Sequence, residues 1–287
     1  MADPNPASVL ADTEAHHLHS HAVGDDFKLF IGRCGPEGAE PAAVLYLTDA
    51  NGAFGSAVDQ IRAMQLMAHL PPILVVGIGY PVGSLGETVD IRMRDLTPSV
   101  DQLYVDLVPD APPAGGGPAF HRFVVDELMP WVDDRYGTAA GRRVYYGHSL
   151  GGLFGCWTLF TAPGTFTDYL IGSPSLWWDS GMVFALERAY AASNDDLAAR
   201  VFFGIGAHET HEGRQREAVN MSTEQRAIAA AVELDMVADM ARLVDALRSR
   251  AYPGLALRSS VFADEFHVTV SSLNLSRGLR WALDAPT

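Results

Sequence analysis

Two kinds of apolar run alternate along the chain. Short runs rich in β-branched and aromatic residues predict strands at Phe27–Arg33, Ala43–Thr48, Ile73–Gly79, Arg143–Gly147, Tyr169–Gly172, Val201–Gly206 and Leu257–Phe262. ILVVGIG and VFFGIG are apolar at nearly every position, the pattern of parallel strands covered on both faces. Between them, apolar residues recur at helical spacing. Such runs predict helices over Ser56–Leu70, over Ala119–Tyr136, from Gly151 onward, over Glu233–Arg250 and over Ser271–Leu283. In the second of these, Phe120, Phe123, Val124, Leu128, Trp131 and Val132 share one stripe. The alternation predicts an α/β fold with a mostly parallel central sheet and helices on both faces.

Two stretches follow neither period. Tyr80–Gly117 ends in APPAGGGP, and His208–Thr223 is polar and charged, so both are expected to be long loops of the kind that carry function. Residues 1–15 are expected to form an irregular arm. With no internal repeat and no low-complexity tract, residues 1–287 are expected to form a single domain.

Composition narrows the function. The 20 basic and 35 acidic side chains give a net charge of −15, which repels phosphate backbones and anionic lipid, so neither nucleic acid nor a membrane is an expected partner. Only Lys28 is a lysine, and no basic run occurs. Cys34 and Cys156 fit no metal or redox spacing and are expected to be buried free thiols. The first twenty residues lack the basic start and apolar core of a signal peptide, and no 18-residue apolar run follows, so a cytoplasmic location is expected.

The chemistry concentrates in RRVYYGHSLGG, where Gly147-His148-Ser149-Leu150-Gly151 fits G-x-S-x-G between a predicted strand and a predicted helix. A nucleophile on so sharp a turn needs small residues two places before and after it, because strand and helix backbones approach there. The turn lifts the Ser149 hydroxyl out of the sheet and sets a helix N-terminus beneath the reacting carbonyl, with the Leu150 N–H as one oxyanion donor. A serine nucleophile then requires an acid and a histidine, in that order. Of ten histidines, only His267 lies between the last predicted strand and the last helix. Glu209, three residues beyond the strand Val201–Gly206, is the first choice for the acid, with Glu212 and Asp179 as weaker rivals. The Asn51 N–H, in the loop after Ala43–Thr48, is the expected second oxyanion donor.

Other residues carry weaker expectations. Trp177 and Trp178 could wall an acyl or aryl pocket, and His148 lies beside the nucleophile. Arg94, with Arg92, could meet a substrate carboxylate, although pairing with Asp95 is the blander alternative. No metal site is expected: in His208-Glu209-Thr210-His211 the histidines stand three apart where H-E-x-x-H needs four, and His17, His19 and His21 read as exposed strand residues. The Gly115–Gly117 run follows no strand and lacks a phosphate-loop lysine.

The motifs VLYLTDANGAF, VVGIGYP, RMRDLTP, FVVDELMPWVDDRYG, SPSLWWD and FHVTV, added to the serine motif, resemble the esterase family of α/β hydrolases that includes ferric-enterobactin esterases and is related to S-formylglutathione hydrolases and mycolyltransferases. The resemblance runs from about His17 to the C-terminus. It implies the α/β-hydrolase fold and a cofactor-free serine esterase. In that reading Ser149 is the nucleophile, His267 the base and Glu209 the acid, and the Leu150 and Asn51 backbones form the oxyanion hole. The expected substrate is a neutral ester or lactone of a small molecule, with siderophore trilactone hydrolysis second, acyl transfer third and a non-catalytic binding scaffold last. Nothing in the chain sets an oligomeric state.

Overall fold

The computed structural model describes residues 10–67, 70–108, 110–138, 141–217, 222–231 and 234–283. Eight strands form one sheet: β1 (Thr13–Ser20), β2 (Asp25–Cys34), β3 (Ala43–Leu47), β4 (Ile73–Gly79), β5 (Arg142–His148), β6 (Asp168–Gly172), β7 (Ala199–Gly206) and β8 (Leu255–Phe262). Their spatial order is β1-β2-β4-β3-β5-β6-β7-β8. β1 and β2 pair antiparallel, β2 joins β4 antiparallel, and every later pairing is parallel. This is the α/β-hydrolase arrangement, mostly parallel as the apolar runs required.

Eleven α-helical segments occur among the described residues: α1 (Ala50–Leu66), α2 (Thr88–Leu96), α3 (Gln102–Leu107), α4 (Gly117–Arg122), α5 (Met129–Tyr136), α6 (Leu150–Thr161), α7 (Trp178–Ser193), α8 (His211–Glu217), α9 (Thr223–Ala231), α10 (Met236–Arg250) and α11 (Ser271–Leu283). They cover both faces. In β3, Val44 and Tyr46 point into the core beneath α4, α5, α6 and α10, while Leu45 and Leu47 point into the core beneath α1 and α11. Both surfaces of the strand are therefore sealed, and burying each such side chain stabilises the fold by about 1.5–3 kcal/mol.

Several expectations need correction. Tyr80–Gly117 is not one long loop, because it holds α2 and α3. Helix α3 is set by Asp101, whose carboxylate accepts the Leu103 and Tyr104 N–H groups at its N-terminus. His208–Thr223 contains α8, and its residues 218–221 lie outside the described set. The proposed arm is extended strand from Thr13, while residues 1–9 lie outside the described set. The expected ends at 68–70 and 233 also meet undescribed positions, and α1 ends at Leu66 while α10 starts at Met236 behind an Asp235 cap. The predicted helix Ala119–Tyr136 is continuous but carries a π turn over Phe123–Leu128. Pro130 has no N–H for the preceding turn, and the wider turn absorbs that loss. Cys34 and Cys156 are buried free thiols, as expected, and burial pushes both pKa values up. Among the described residues no helix is long and apolar enough to cross a membrane.

Candidate active site

The turn from β5 into α6 sets the geometry. Ser149 has φ 61° and ψ −115°, a conformation that costs a non-glycine residue on the order of 1–3 kcal/mol. Its N–H donates to Gly172 O on β6 (2.9 Å), and its carbonyl accepts from Leu153 N (2.9 Å), so both neighbouring elements hold the strain in place. The spacing of glycines follows from contact. A Cβ on Gly151 would lie 2.5 Å from Thr48 Oγ1, and one on Gly147 would collide with the Gly151 carbonyl and the Tyr145 hydroxyl. Leu150 opens α6, where the first N–H groups have no intrahelical acceptor.

Glu209 and His267 come together across 58 positions of chain. Glu209 sits in the turn after β7 and is fully buried. Its Oε2 lies 2.5 Å from His267 Nδ1, and its Oε1 accepts from Ser173 Oγ (2.7 Å) and Gly206 N (2.8 Å). Burial pushes the Glu209 carboxyl up, but the hydrogen bond and charge of His267, with the Ser173 and Gly206 donors, outweigh it and hold the pKa below the ordinary value. His267 therefore has one nitrogen fixed by a carboxylate and the other, Nε2, without a hydrogen-bond partner among the described residues. Ser149 Oγ makes a long contact of 3.5 Å with Ser175 Oγ.

The loop after β3 is braced from two sides. Asp49, at φ 58°, holds the position before α1 without a side-chain capping bond; instead Arg92 grips its carboxylate bidentately (Nε to Oδ1 2.6 Å, Nη2 to Oδ2 2.9 Å). The Asn51 side chain clamps the backbone of Tyr80, donating to its carbonyl at 2.9 Å and accepting its N–H at 2.8 Å. Ala50 and Asn51 thus present the first N–H groups of α1 on a rigid loop.

Three residues expected to contact substrate are held by the protein or enclosed within it. Arg94 is engaged by Asp95 (Nε to Oδ1 2.7 Å, Nη2 to Oδ2 3.1 Å), the alternative the sequence offered, and by Asp25 (Nη1 to Oδ2 2.8 Å). Trp178 is fully buried with its indole N–H on Ser99 O (3.1 Å), which makes it a packing residue. The nitrogens of His148 are both buried and without a hydrogen-bond partner among the described residues, and Nδ1 lies in the space that Gly172 leaves by having no side chain. Its ring lies 4.7 Å from that of His267, and burial, then the charge of His267, pushes its pKa down to about 3, so it is neutral. Trp177 lines a cavity of about 360 Å³.

The other acid candidates point elsewhere. Glu212 pairs with Arg216 on α8, and Asp179 lies in a left-handed turn within α7, its N–H on Asp101. His208 stacks on Phe266, and His211 contacts Gln215, so neither joins Glu209 in a ligand set; among the described residues no group of three metal-ligating side chains occurs. Sequence reading missed Ser173 and Arg214, which approaches Glu209 Oε2 at 3.6 Å from α8. The S-P-S triplet after β6 was a usable signal for Ser173. Arg214 gave none, because its helix looked like a polar loop.

A strained serine at a strand-to-helix elbow, with a buried carboxylate–histidine pair on the loops after β7 and β8, defines an α/β-hydrolase. A family model described as "Putative esterase" matches residues 20–257, and the chain belongs to that family. It is a carboxylic ester hydrolase. The chain is 26% identical to the ferri-bacillibactin esterase BesA of Bacillus subtilis, over 96% of this chain and 91% of that one. It is 30% identical to the siderophore triacetylfusarinine C esterase of Aspergillus fumigatus, over 84% and 82% of the two chains. Among solved structures, the siderophore hydrolase EstA of Aspergillus nidulans superposes with a TM-score of 0.82 at 26% identity, over 98% of this chain and 97% of that one.

Proposed function

We propose that this protein hydrolyses the ester bonds of a siderophore, a polyester or lactone iron carrier, by acyl-enzyme chemistry at Ser149. His267 removes the Ser149 proton through Nε2 as the hydroxyl attacks the ester carbonyl, and Glu209 stabilises the resulting imidazolium. The Leu150 and Asn51 N–H groups receive the oxyanion, each good donor contributing about 3–4 kcal/mol to the transition state. Water then takes the place of the leaving alcohol, and His267 relays its proton.

The observation that carries the chemistry is the buried Glu209 carboxylate on His267 Nδ1 at 2.5 Å, beside a serine held at positive φ. A buried carboxylate fixes the tautomer that leaves Nε2 free to accept a proton. The substrate class is supported by the named activities of the relatives, which move siderophore esters ahead of a neutral ester. Burst-phase release of 4-nitrophenol from short-chain esters, compared with Ser149→Ala and His267→Ala, tests the chemistry; a burst that scales with enzyme and vanishes in both variants is expected. Chromatography of a ferric trilactone siderophore before and after incubation tests the substrate. Intact trilactone alongside an active burst would return the assignment to a simpler ester.

A further inference from the structure

Glu209 fixes one nitrogen of His267, but a single hydrogen bond leaves an imidazole free to swivel about the line from Nδ1 to Oε2. A base that must meet a serine hydroxyl needs a second restraint, one that acts on the plane of its ring. His148 stands where such a restraint would act. Its ring centroid lies 4.7 Å from that of His267, with 43° between the two planes.

The sheet builds a seat for His148. On β5, β6 and β7, His148, Gly172 and Gly204 stand side by side in register. A Cβ on Gly172 would lie 2.9 Å from His148 Nδ1 and 2.8 Å from Asn274 Nδ2, and one on Gly204 would collide with Asn274 Oδ1. The two bare positions thus make a notch. Asn274, buried on α11, lies across both glycines, and its amide reaches the place on Gly172 that the His148 ring also borders. The ring is enclosed on that side and cannot turn freely. It also stays uncharged, because burial of its nitrogens and the charges of His267 and Arg92 outweigh the pull of Glu209. An uncharged neighbour suits the chemistry, since a second cation at this separation would oppose the imidazolium that forms on His267.

We propose that His148 is the positioning residue of the catalytic base, its ring, seated at the Gly172 notch beside Asn274, holding the plane of His267 toward Ser149. The proposal rests on the reading of His267 as the base and adds to it what keeps that base in line. A flat, uncharged ring is the property required of the position.

Steady-state hydrolysis of 4-nitrophenyl acetate by single and paired variants tests it. His148→Ala is expected to lower kcat roughly tenfold or more with KM within about twofold, the split of a group that acts in the transition state alone. His148→Phe restores a flat ring that cannot take a proton, and is expected to return kcat to within about threefold of the parent. In a His267→Ala background, where the oxyanion hole still supports slow turnover, His148→Ala is expected to cost less than about twofold, because no base remains to be held. An unchanged kcat in His148→Ala, a loss carried by KM, a loss that His148→Phe does not recover, or the same loss with and without His267 would overturn the proposal. Failure of the base assignment has a separate signature: His267→Ala then keeps the kcat of the parent.

Discussion

The two ends of the parallel strands make unlike surfaces. At the amino end, a cavity of about 420 Å³ lies between Arg33–Pro41 and Pro72–Leu74. It is the larger of the two cavities described, yet Ser149, Glu209 and His267 all lie at the other end. At the carboxyl end, Asp49, Ser149, Ser173 and Asp264 hold positive φ in the loops after β3, β5, β6 and β8. The buried Glu209 follows β7 there. Ligand sites in open α/β sheets lie at the carboxyl ends because loops there gather the free N–H groups of the following helices. The contrast teaches that volume is a poor guide to this site, and that positive φ or a buried ion pair alone is no better, since the amino end has Asp12 at φ 51° and the buried Asp168 paired with Arg142. What marks the carboxyl end is a buried carboxylate paired with a histidine on the loops beside a positive-φ serine.

The contrast can be broken or sharpened by substitution. The largest effect is expected from Glu209→Gln, which leaves His267 Nδ1 without its anion; kcat falls roughly 10³- to 10⁴-fold with KM little changed, read by steady-state ester hydrolysis. A loss under tenfold would remove Glu209 from the mechanism. Next comes pH. His148 carries a folded pKa near 3 against a usual 6.5, so the unfolded chain binds its proton first. Its contribution is therefore fully present above about pH 6.5 and is lost as pH falls toward 3, by up to a few kcal/mol. Glu209, with a lowered pKa, adds to the same acid loss below its unfolded value. Melting temperature measured from pH 7 to pH 4 should fall steeply in the parent and less steeply in His148→Gln; parallel curves would contradict the assignment.

Asn51→Ala comes third. It deprives the Tyr80 N–H and carbonyl of their clamp and loosens the first turn of α1, for an expected cost of about 1–2 kcal/mol in stability and roughly tenfold in kcat. The smallest effect belongs to the amino end. Glu37→Ala and Glu40→Ala, which line the larger cavity, should each leave ester turnover within about twofold. A larger change would mean that the two ends are coupled.

Much of this is legible in the amino-acid sequence. The alternation of β-branched and helical runs carried the sheet, and G-x-S-x-G, GAHE and FHVTV marked three residues that the fold brings to one end. The misreadings share a cause. β1 (TEAHHLHS) is an edge strand whose residues are mostly exposed or partly exposed, so it lacks an apolar signal: its alternating histidines read as strand, but its start, residues 13–15, falls in the expected arm. Helices α2 and α8 are short and charged, and ion pairs such as Arg92 with Asp49 and Arg214 with Glu217 help to place them where an apolar stripe does not. Trp178 looked like a substrate residue because its partner, Ser99, is 79 positions away, and while the pairing of Arg94 with Asp95 was legible as an alternative, its second partner, Asp25, 69 positions away, was not. Long-range pairing is invisible to a local pattern.

Glu209 also says something about time. Its carboxylate joins Ser173, 36 positions before it, to His267, 58 positions after it, and its own carbonyl accepts the Met236 N–H that opens α10. Local helices form in about a microsecond, but contacts across such separations must wait for the chain to bring distant segments together. The elbow serine is braced by β5, α6 and β6, while His267 reaches Glu209 only when β8 is paired with β7. Turnover recovered after dilution from denaturant is thus expected to report that long-range pairing and to lag behind the return of helical ellipticity.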